Sequence, residues 1–297
     1  MIDFVKVYYR DKDLLENYVE SEEEVFKEVN KTLELRSGEI RYPLKTKYSL
    51  MDVAVSEKSG YVQNSIHKFF DKNSGNKGEN HSDFKYSEII QTINMLQNVI
   101  LDFEKTRITN LEFGLNINVP IPAEQIIMEN VLMHKYGTHN NLREYNGKGC
   151  LKQFDHSNYV IKIYDKAKQY KLKDNLLRFE IRFTKSKLLN QLEVFNINSL
   201  KNKQVLEKLM TYLLNRFDEL QIVDAIPLDT TWTDSKIEFY HRGVSSAYWQ
   251  HIRTKSYSTI SRRKLKWNIF LEEHNLLKTK SHLRSNLVQK FKYLIQN

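Results

Sequence analysis

Residues 159–166 read YVIKIYDK and residues 177–183 read LRFEIRF, and these two alternating runs decide the fold. Side chains on a β-strand point alternately to the two faces of the sheet, so every second residue shares a face. In the second run one face carries Leu177, Phe179, Ile181 and Phe183, and the other carries Arg178, Glu180 and Arg182. In the first run Tyr159, Ile161 and Ile163 lie opposite Val160, Lys162 and Tyr164. Both runs therefore predict strands with one apolar and one polar face.

A third run, LEFGLNIN at residues 111–118, repeats this alternation. Its apolar set is Leu111, Phe113, Leu115 and Ile117, and its polar set is Glu112, Asn116 and Asn118. If the three strands share one sheet and bury their apolar faces, two carboxylates, an amide, several cations and a tyrosine meet on the opposite face. That combination of groups is suited to phosphoryl chemistry.

The rest of the chain predicts an α+β fold with a mainly antiparallel central sheet covered by helices. Residues 87–103 and 204–220 have apolar side chains at helical spacing, and Pro122 predicts a helix that reaches about Lys135. Strands and helices alternate without strict βαβ spacing, which favours antiparallel pairing. A basic helical segment, with helices over 257–271 and 280–296, completes the chain.

Composition narrows the class of protein. The chain has 297 residues, 40% of them hydrophobic, which is enough for a substantial core. No apolar run approaches the roughly 20 residues of a membrane span, and the start of the chain lacks a secretory pattern, so we expect a cytoplasmic protein without membrane partners. Cys150 is the only cysteine, which excludes an intramolecular disulfide and a cysteine-based zinc site.

Charge is concentrated near the end of the sequence. Residues 241–297 contain twelve Lys or Arg and two acids, a net charge of +10, whereas the whole chain carries +9. The preceding 240 residues therefore carry a net charge of −1. This asymmetry predicts that the C-terminal part binds a polyanion. The character of the sequence changes beyond about Ile226, so we divide the chain into a catalytic domain over 1–225 and a DNA-binding segment over 226–297. The DNA-binding candidates in the segment are Arg253, Lys255, Arg262, Arg263, Lys264 and Lys266. The alternative is an ordinary lysine-rich solvated surface.

The two helices of this segment meet near His274. Two consecutive helices joined by a short turn are compatible with a helix-turn-helix that reads the major groove, although the spacing alone does not establish one.

The predicted polar face has the groups needed to cut a DNA phosphodiester by transesterification. The Tyr164 hydroxyl is the candidate nucleophile, and Glu112, Asn116 and Glu180 are candidate oxygen ligands for Mg²⁺ or Mn²⁺. The cations Lys162, Lys166, Arg178 and Arg182 are candidates for contacts with phosphate oxygens. Each assignment has a structural alternative: a strand tyrosine often packs across strands, and Glu180 between two arginines is also typical of an ion-pair ladder.

Residues 159–181 resemble the trans-acting replication initiators (Rep) of small rolling-circle plasmids. In that family a basic strand ends in Ile-Tyr-Asn/Asp-Lys and an Arg-x-Glu strand follows, as in IYDK at 163–166 and RFE at 178–180. Residues 109–116, TNLEFGLN, are similar to the family's Thr-Arg-Leu-Asp-x-Ala-x-Asp strand. The resemblance covers roughly residues 108–185.

The resemblance implies a metal-dependent, site-specific DNA endonuclease and strand transferase. It implies Tyr164 as the nicking nucleophile, acidic side chains as metal ligands, and single-stranded and duplex origin DNA as substrates. It also implies homodimers and recruitment of a host helicase.

Two departures from the family pattern concern the site: Asn110 stands where the family has arginine, and Glu112 and Asn116 stand where it has aspartates. An amide is a weaker ligand than a carboxylate. Since none of the nine histidines forms a His-x-His pair, the related histidine-pair nucleases are excluded.

Two further functions remain open from the sequence. The amide at Asn116 is compatible with a non-catalytic DNA-binding protein, a replication or copy-control factor on a Rep-like scaffold. An antiparallel sheet with exposed aromatic and basic side chains is also suited to single-stranded RNA.

Overall fold

The computed structural model describes residues 1–145, 149–227 and 231–297. Its strands are β1 (Ile2–Tyr9), β2 (Asn30–Leu33), β3 (Ile40–Tyr48), β4 (Met51–Val55), β5 (Gly60–Ser65), β6 (Arg107–Asn118), β7 (Val131–His134), β8 (Asn141–Tyr145), β9 (Gly149–Asp155), β10 (Tyr159–Asp165), β11 (Leu176–Phe183) and β12 (Leu220–Ile222). Its α-helices are α1 (Lys12–Ser21), α2 (Ile66–Asn73), α3 (Tyr86–Val99), α4 (Ala123–Gln125), α5 (Lys166–Tyr170), α6 (Ser186–Gln191), α7 (Lys203–Asp218), α8 (Asp234–Val244), α9 (Ser246–Ile252), α10 (Tyr257–Glu273) and α11 (Lys278–Gln296).

A ten-stranded antiparallel sheet organises the chain, in the order β2-β3-β4-β5-β1-β6-β11-β10-β9-β8. Strands β7 and β12 form a separate antiparallel pair. The predicted α+β class with a mainly antiparallel sheet is confirmed. None of the helices in the described part of the chain is both long and apolar enough to cross a membrane.

The three strands singled out by alternation lie side by side at the centre of the sheet, in the order β6, β11, β10. Their apolar residues are buried on one face, as predicted. Helices α7 and α11 cover this face. The ring of Phe217 in α7 packs edge-on against Phe179, with the ring centres 5.2 Å apart, and the ring of Phe291 in α11 packs against Phe113, with the ring centres 6.4 Å apart. The polar residues of the same strands must therefore share the opposite face.

A second, smaller hydrophobic cluster lies among α8, α9 and α10, around Trp249, Trp267 and Phe270. Helix α11 belongs instead to the main core, in which its residues Leu283, Leu287 and Phe291 are buried. The division at residues 225 and 226 stays a prediction, and residues 228–230 lie outside the described part.

The predicted helix from Pro122 to Lys135 is wrong beyond its first turn. Helix α4 passes into a π-helical turn over Ile126–Asn130, and the chain then enters β7. Strand β7 is selected by its pairing with β12 through Val131 and Met133, a contact between distant segments that helical periodicity cannot report.

Candidate active site

The polar face of β6, β11 and β10 is aligned by two cross-strand rows. In one row Asn116, Arg178 and Tyr164 lie opposite one another, and in the next Gly114, Glu180 and Lys162 do so. Neighbouring strands lie about 4.8 Å apart, so side chains in adjacent rows are within reach of one another. The register therefore brings together the phenol, the carboxylate and the cations that the sequence predicted.

Three carboxylates, Asp3, Glu112 and Glu180, form an acidic cluster in which one oxygen of each lies within 4.8 Å of the others. Asp3 and Glu180 are buried, and Glu112 is half-buried at the mouth of the site. The Lys162 ammonium donates hydrogen bonds to Glu112 Oε1 at 2.8 Å and to Glu180 Oε1 at 3.1 Å. Carboxylate oxygens at this spacing match the donors that Mg²⁺ and Mn²⁺ prefer.

Asp3 was missed by the sequence analysis because a β-bulge places it on the polar face. It shares parity with Val5 and Val7, so regular alternation would have put it on the apolar side. The pairing of β1 with β6 shifts register between Ile2 and Val5, and this shift reverses the facing of the residues before it. A charged residue at an apolar position of a strand was the one available signal.

Tyr164 is half-buried, and its hydroxyl donates a hydrogen bond to Glu180 Oε2 at 3.2 Å. Burial and the neighbouring Glu180 carboxylate raise the pKa of Tyr164 well above its ordinary value, and Arg178 only partly offsets this. The phenol is therefore protonated at neutral pH and needs a base to become a nucleophile.

Arg178 holds the opposite side of the site. Its Nε donates to Glu180 Oε2 at 2.6 Å, its Nη1 to Asn116 Oδ1 at 3.0 Å, and its Nη2 lies 3.4 Å from Asp3 Oδ2. The Asn116 oxygen is thus bonded to a guanidinium, while the amide nitrogen donates to the backbone carbonyls of Asn80 and His81. Asn116 lies beside the acidic cluster without joining it, and its role as a metal ligand stays a prediction.

Asn80, from the loop between α2 and α3, covers the buried side of the site and was also missed. Its side-chain oxygen accepts hydrogen bonds from Lys166 Nζ at 2.7 Å and from the Tyr170 hydroxyl, and its nitrogen donates to Asp3. Lys166 is 1% exposed, and burial and the nearby Arg178 lower its pKa to about 7. Nothing in the local sequence around Asn80 predicts these contacts.

The electrostatic balance differs between the two glutamates. Burial and repulsion by Glu180 raise the pKa of Glu112. Burial acts on Glu180 in the same direction, but the charges of Lys162 and Arg178 outweigh it and hold the pKa of Glu180 below its usual range. Lys162 has a raised pKa because both carboxylates more than offset its own desolvation. Glu180 is therefore the ionised acceptor beside Tyr164.

The predicted DNA-binding cations fall into two groups. Lys162 and Arg182 lie at the mouth of the site, where Arg182 Nε is 3.2 Å from Asn110 Oδ1 and 3.8 Å from Glu112 Oε1. The others lie in or just before α10: Lys255, Arg262, Arg263 and Lys266 are exposed, Lys264 lies over the ring of Tyr136, and Arg253 donates to the Lys135 carbonyl. Within the described ranges, none of this second group contacts the acidic cluster.

Comparison with known proteins gives a likeness of fold and no match of sequence. No protein-family model matches the sequence, and no curated protein matches it. Among solved structures, the fold is similar to that of a rolling circle replication initiator protein from Geobacillus stearothermophilus. The two chains are 14% identical, the match covers 78% of this chain and 89% of that chain, and the TM-score is 0.43.

Proposed function

We propose that this protein nicks and rejoins one DNA strand at a replication origin through a covalent tyrosyl-DNA intermediate, and so starts rolling-circle replication. The observation that supports this function is a phenol, Tyr164, hydrogen-bonded at 3.2 Å to a carboxylate of a cluster of three acids. Burying ionised groups costs free energy. A tyrosine whose only role is to pack between strands does not require such groups around it.

The reaction is a transesterification at phosphorus. The Tyr164 oxygen forms a bond to the phosphorus, the phenol proton passes to Glu180, and the bond from phosphorus to the 3′ oxygen breaks. The 3′ oxygen leaves as a hydroxyl after taking a proton from solvent, and the 5′ phosphate stays on the tyrosine. Reversal of the same steps with another 3′ hydroxyl rejoins the strand.

Asp3, Glu112 and Glu180 are the residues that would hold a divalent cation, because their oxygens converge and are hard donors. When bound, such an ion polarises the phosphoryl oxygens and stabilises charge on the pentavalent phosphorus. The chain's own contribution is to hold the carboxylates in one place, through Lys162 on the exposed side and Arg178 on the buried side.

The cations of the site divide by exposure. Arg178 and Lys166 are 2% and 1% exposed and are bonded to Glu180 and Asn80, so we assign them to positioning Tyr164 and its carboxylate. The side chains of Lys162 and Arg182 are 19% and 40% exposed at the mouth, where they can reach a phosphate. Arginine adds two-pronged geometry to that contact.

The basic segment supports duplex binding beside the nick. Of the twelve Lys and Arg at residues 241–297, Arg284 pairs with Asp218 and Lys290 with Asp83. The others form no salt bridge with a residue that the structure describes, which leaves Lys255, Arg262, Arg263 and Lys266 free to contact phosphates. Such binding falls steeply with salt because phosphate contacts release counterions.

The test is a nicking assay on a supercoiled plasmid that carries the gene with its flanking DNA, in the presence of Mn²⁺. We expect the wild type to relax the plasmid and to form a DNA adduct at Tyr164. Tyr164→Phe should abolish both while duplex binding is retained. Tyr170→Phe, six residues away and bonded to Asn80, is the matched control and should still form the adduct. An adduct at Tyr170, or nicking by Tyr164→Phe, would contradict the assignment.

The second candidate is a DNA-binding replication or copy-control protein without catalysis. It is favoured by the hydrogen bonds of Lys162 to two of the three carboxylates, which can serve as a permanent structural ion pair. Duplex binding by the wild type together with no nicking at any Mn²⁺ concentration would favour this alternative.

A further inference from the structure

The polar face does not end at the acidic cluster but continues across β6, β1 and β5. Phe4, Lys6 and Tyr8 of β1 point away from the core, since the intervening Val5 and Val7 are buried and these three are not. Across the strand pairs, Tyr8 lies opposite Tyr61 of β5 on one side and Arg107 of β6 on the other. We call the surface formed by Phe4, Lys6, Tyr8, Tyr61, Arg107 and Arg182 the aromatic platform.

Cations and rings alternate on the platform. The Arg182 guanidinium lies 5.4 Å from the centre of the Phe4 ring, and the Lys6 ammonium lies 3.8 Å from the centre of the Tyr61 ring. Tyr8 is 37% exposed, and Arg107 is exposed beside it. Aromatic rings next to cations provide stacking surfaces for bases and contacts for the backbone of an unpaired nucleic acid strand.

The platform carries uncompensated positive charge. Lys6 forms no salt bridge with any residue in the described ranges, and its pKa is lowered by burial and by the nearby Arg182. Arg182 approaches an acid, Glu112, at 3.8 Å, but Lys6 does not, so the two cations repel each other and a phosphate placed beside Lys6 would relieve that repulsion.

Arg182 connects the platform to the candidate active site. Its Nε lies 3.8 Å from Glu112 Oε1, and Glu112 belongs to the acidic cluster beside Tyr164. A nucleic acid strand that lies across β5, β1 and β6 would therefore reach the carboxylates at Glu112, which contacts both Arg182 and Lys162.

We propose that the aromatic platform binds the single-stranded DNA that leads into the acidic cluster, with bases stacked on Phe4, Tyr8 and Tyr61 and phosphates held by Lys6, Arg107 and Arg182. A sheet face that carries one exposed and two half-buried rings beside cations fits unpaired bases, whereas a duplex hides its base faces and presents grooves. This inference rests on the proposed function for the choice of DNA, and its binding test is independent of strand cleavage.

The test measures equilibrium binding of the full chain to fluorescein-labelled 20-nucleotide oligo(dT) in EDTA, where metal-dependent cleavage does not occur. We expect Tyr8→Ala and Tyr61→Ala each to weaken binding by about fivefold or more, the loss of one stacked base. Lys6→Gln should lower the slope of log affinity against log salt by about 0.7, the loss of one phosphate contact on a single strand.

Tyr293→Ala is the matched control, because Tyr293 is 46% exposed on α11, away from the platform. It should bind oligo(dT) like the wild type, and none of the platform variants should change affinity for a 20-base-pair dA·dT duplex. Thermal unfolding of each variant shows that the fold is retained.

Three results would overturn the inference: wild-type affinity in both tyrosine variants, an equal loss of duplex binding, or tighter binding of oligo(rU) than of oligo(dT). The last would assign the platform to RNA. Absence of a Tyr164 adduct together with the expected loss of oligo(dT) binding would reject the nicking reaction and leave the platform supported.

Discussion

The Lys162 ammonium competes with a divalent ion for the carboxylates of Glu112 and Glu180. Its ammonium bonds Glu112 and Glu180 at 2.8 and 3.1 Å, and both carboxylates raise its pKa, so it is charged whenever the acids are ionised. Lys162→Met keeps an unbranched side chain that is one atom shorter and removes the charge. We expect Mn²⁺ to bind about tenfold more tightly or better, as the loss of one competing ion pair implies.

Isothermal titration with Mn²⁺ measures this change. Arg182→Met is the control, because Arg182 lies 3.8 Å from Glu112 and is not bonded to Glu180, so its removal should alter Mn²⁺ affinity far less. Unchanged or weaker Mn²⁺ binding by Lys162→Met would mean that the three carboxylates do not share an ion.

At the level of single elements, alternation was sufficient to predict the central strands and failed where a strand is irregular. Glu112, Tyr164 and Glu180 were placed on one face from parity alone, because β6, β10 and β11 are regularly paired through these positions. Asp3 was not, because the bulge in β1 depends on its pairing with β6, which the sequence of β1 does not contain. Asn80 could not be predicted either, because it contacts Lys166 from a loop that is distant in the sequence.

The pairing of β6 with β11 depends on glycine at residue 114. A Cβ at Gly114 would lie 2.4 Å from Glu180 Cβ and 2.7 Å from Glu180 Cα, and the backbone of β11 would have to move. We expect Gly114→Ala to lower the free energy of unfolding by roughly 1–3 kcal/mol, a typical cost of overpacking, and to weaken Mn²⁺ binding because Glu180 shifts. Urea unfolding and Mn²⁺ titration measure the two effects.

Gly137→Ala provides the comparison for this substitution. The nearest atom to its added Cβ is the end of the flexible Arg253 side chain, at 3.1 Å, which can move aside. The free energy of unfolding should change little in this variant. A Gly114→Ala protein as stable as Gly137→Ala would show that the strands can separate without cost.

On the scale of the whole molecule, the charge asymmetry indicates partners but does not determine the packing. Helix α11 lies within the basic segment, yet its residues Leu283, Leu287 and Phe291 are buried in the main core against the sheet. The net charge of a helix comes from its solvent-facing side chains. Its packing is determined by the apolar residues on its opposite side. The basic segment therefore carries its charge on the outside of helices, one of which supports the sheet.

Stability of the whole molecule should fall on acidification because two buried histidines stay neutral in the folded state. Burial lowers the pKa of His67 to about 2, and burial together with the neighbouring His156 lowers that of His134 to about 3. Histidine in the unfolded chain has a pKa of about 6.5, so below that pH the unfolded state binds protons that the folded state does not. Each histidine should then remove up to about 1.4 kcal/mol of unfolding free energy per pH unit, until its folded pKa is reached.

Urea unfolding at pH 7, 6, 5 and 4 measures this dependence, and His134→Gln isolates one contribution. Glutamine can still hydrogen-bond near the Arg216 carbonyl and His156, the hydrogen-bond partners of His134, and it cannot take up a proton. The Glu219 carboxylate, whose Oε2 lies 3.3 Å from His134 Nε2, stays in place in this variant. Below pH 6 we expect the variant to lose stability more gradually than the wild type, by about 1.4 kcal/mol per pH unit. Parallel profiles for the two proteins would mean that His134 takes up a proton in the folded state as readily as in the unfolded chain, with its ring donating to the neutral ring of His156 at 2.9 Å.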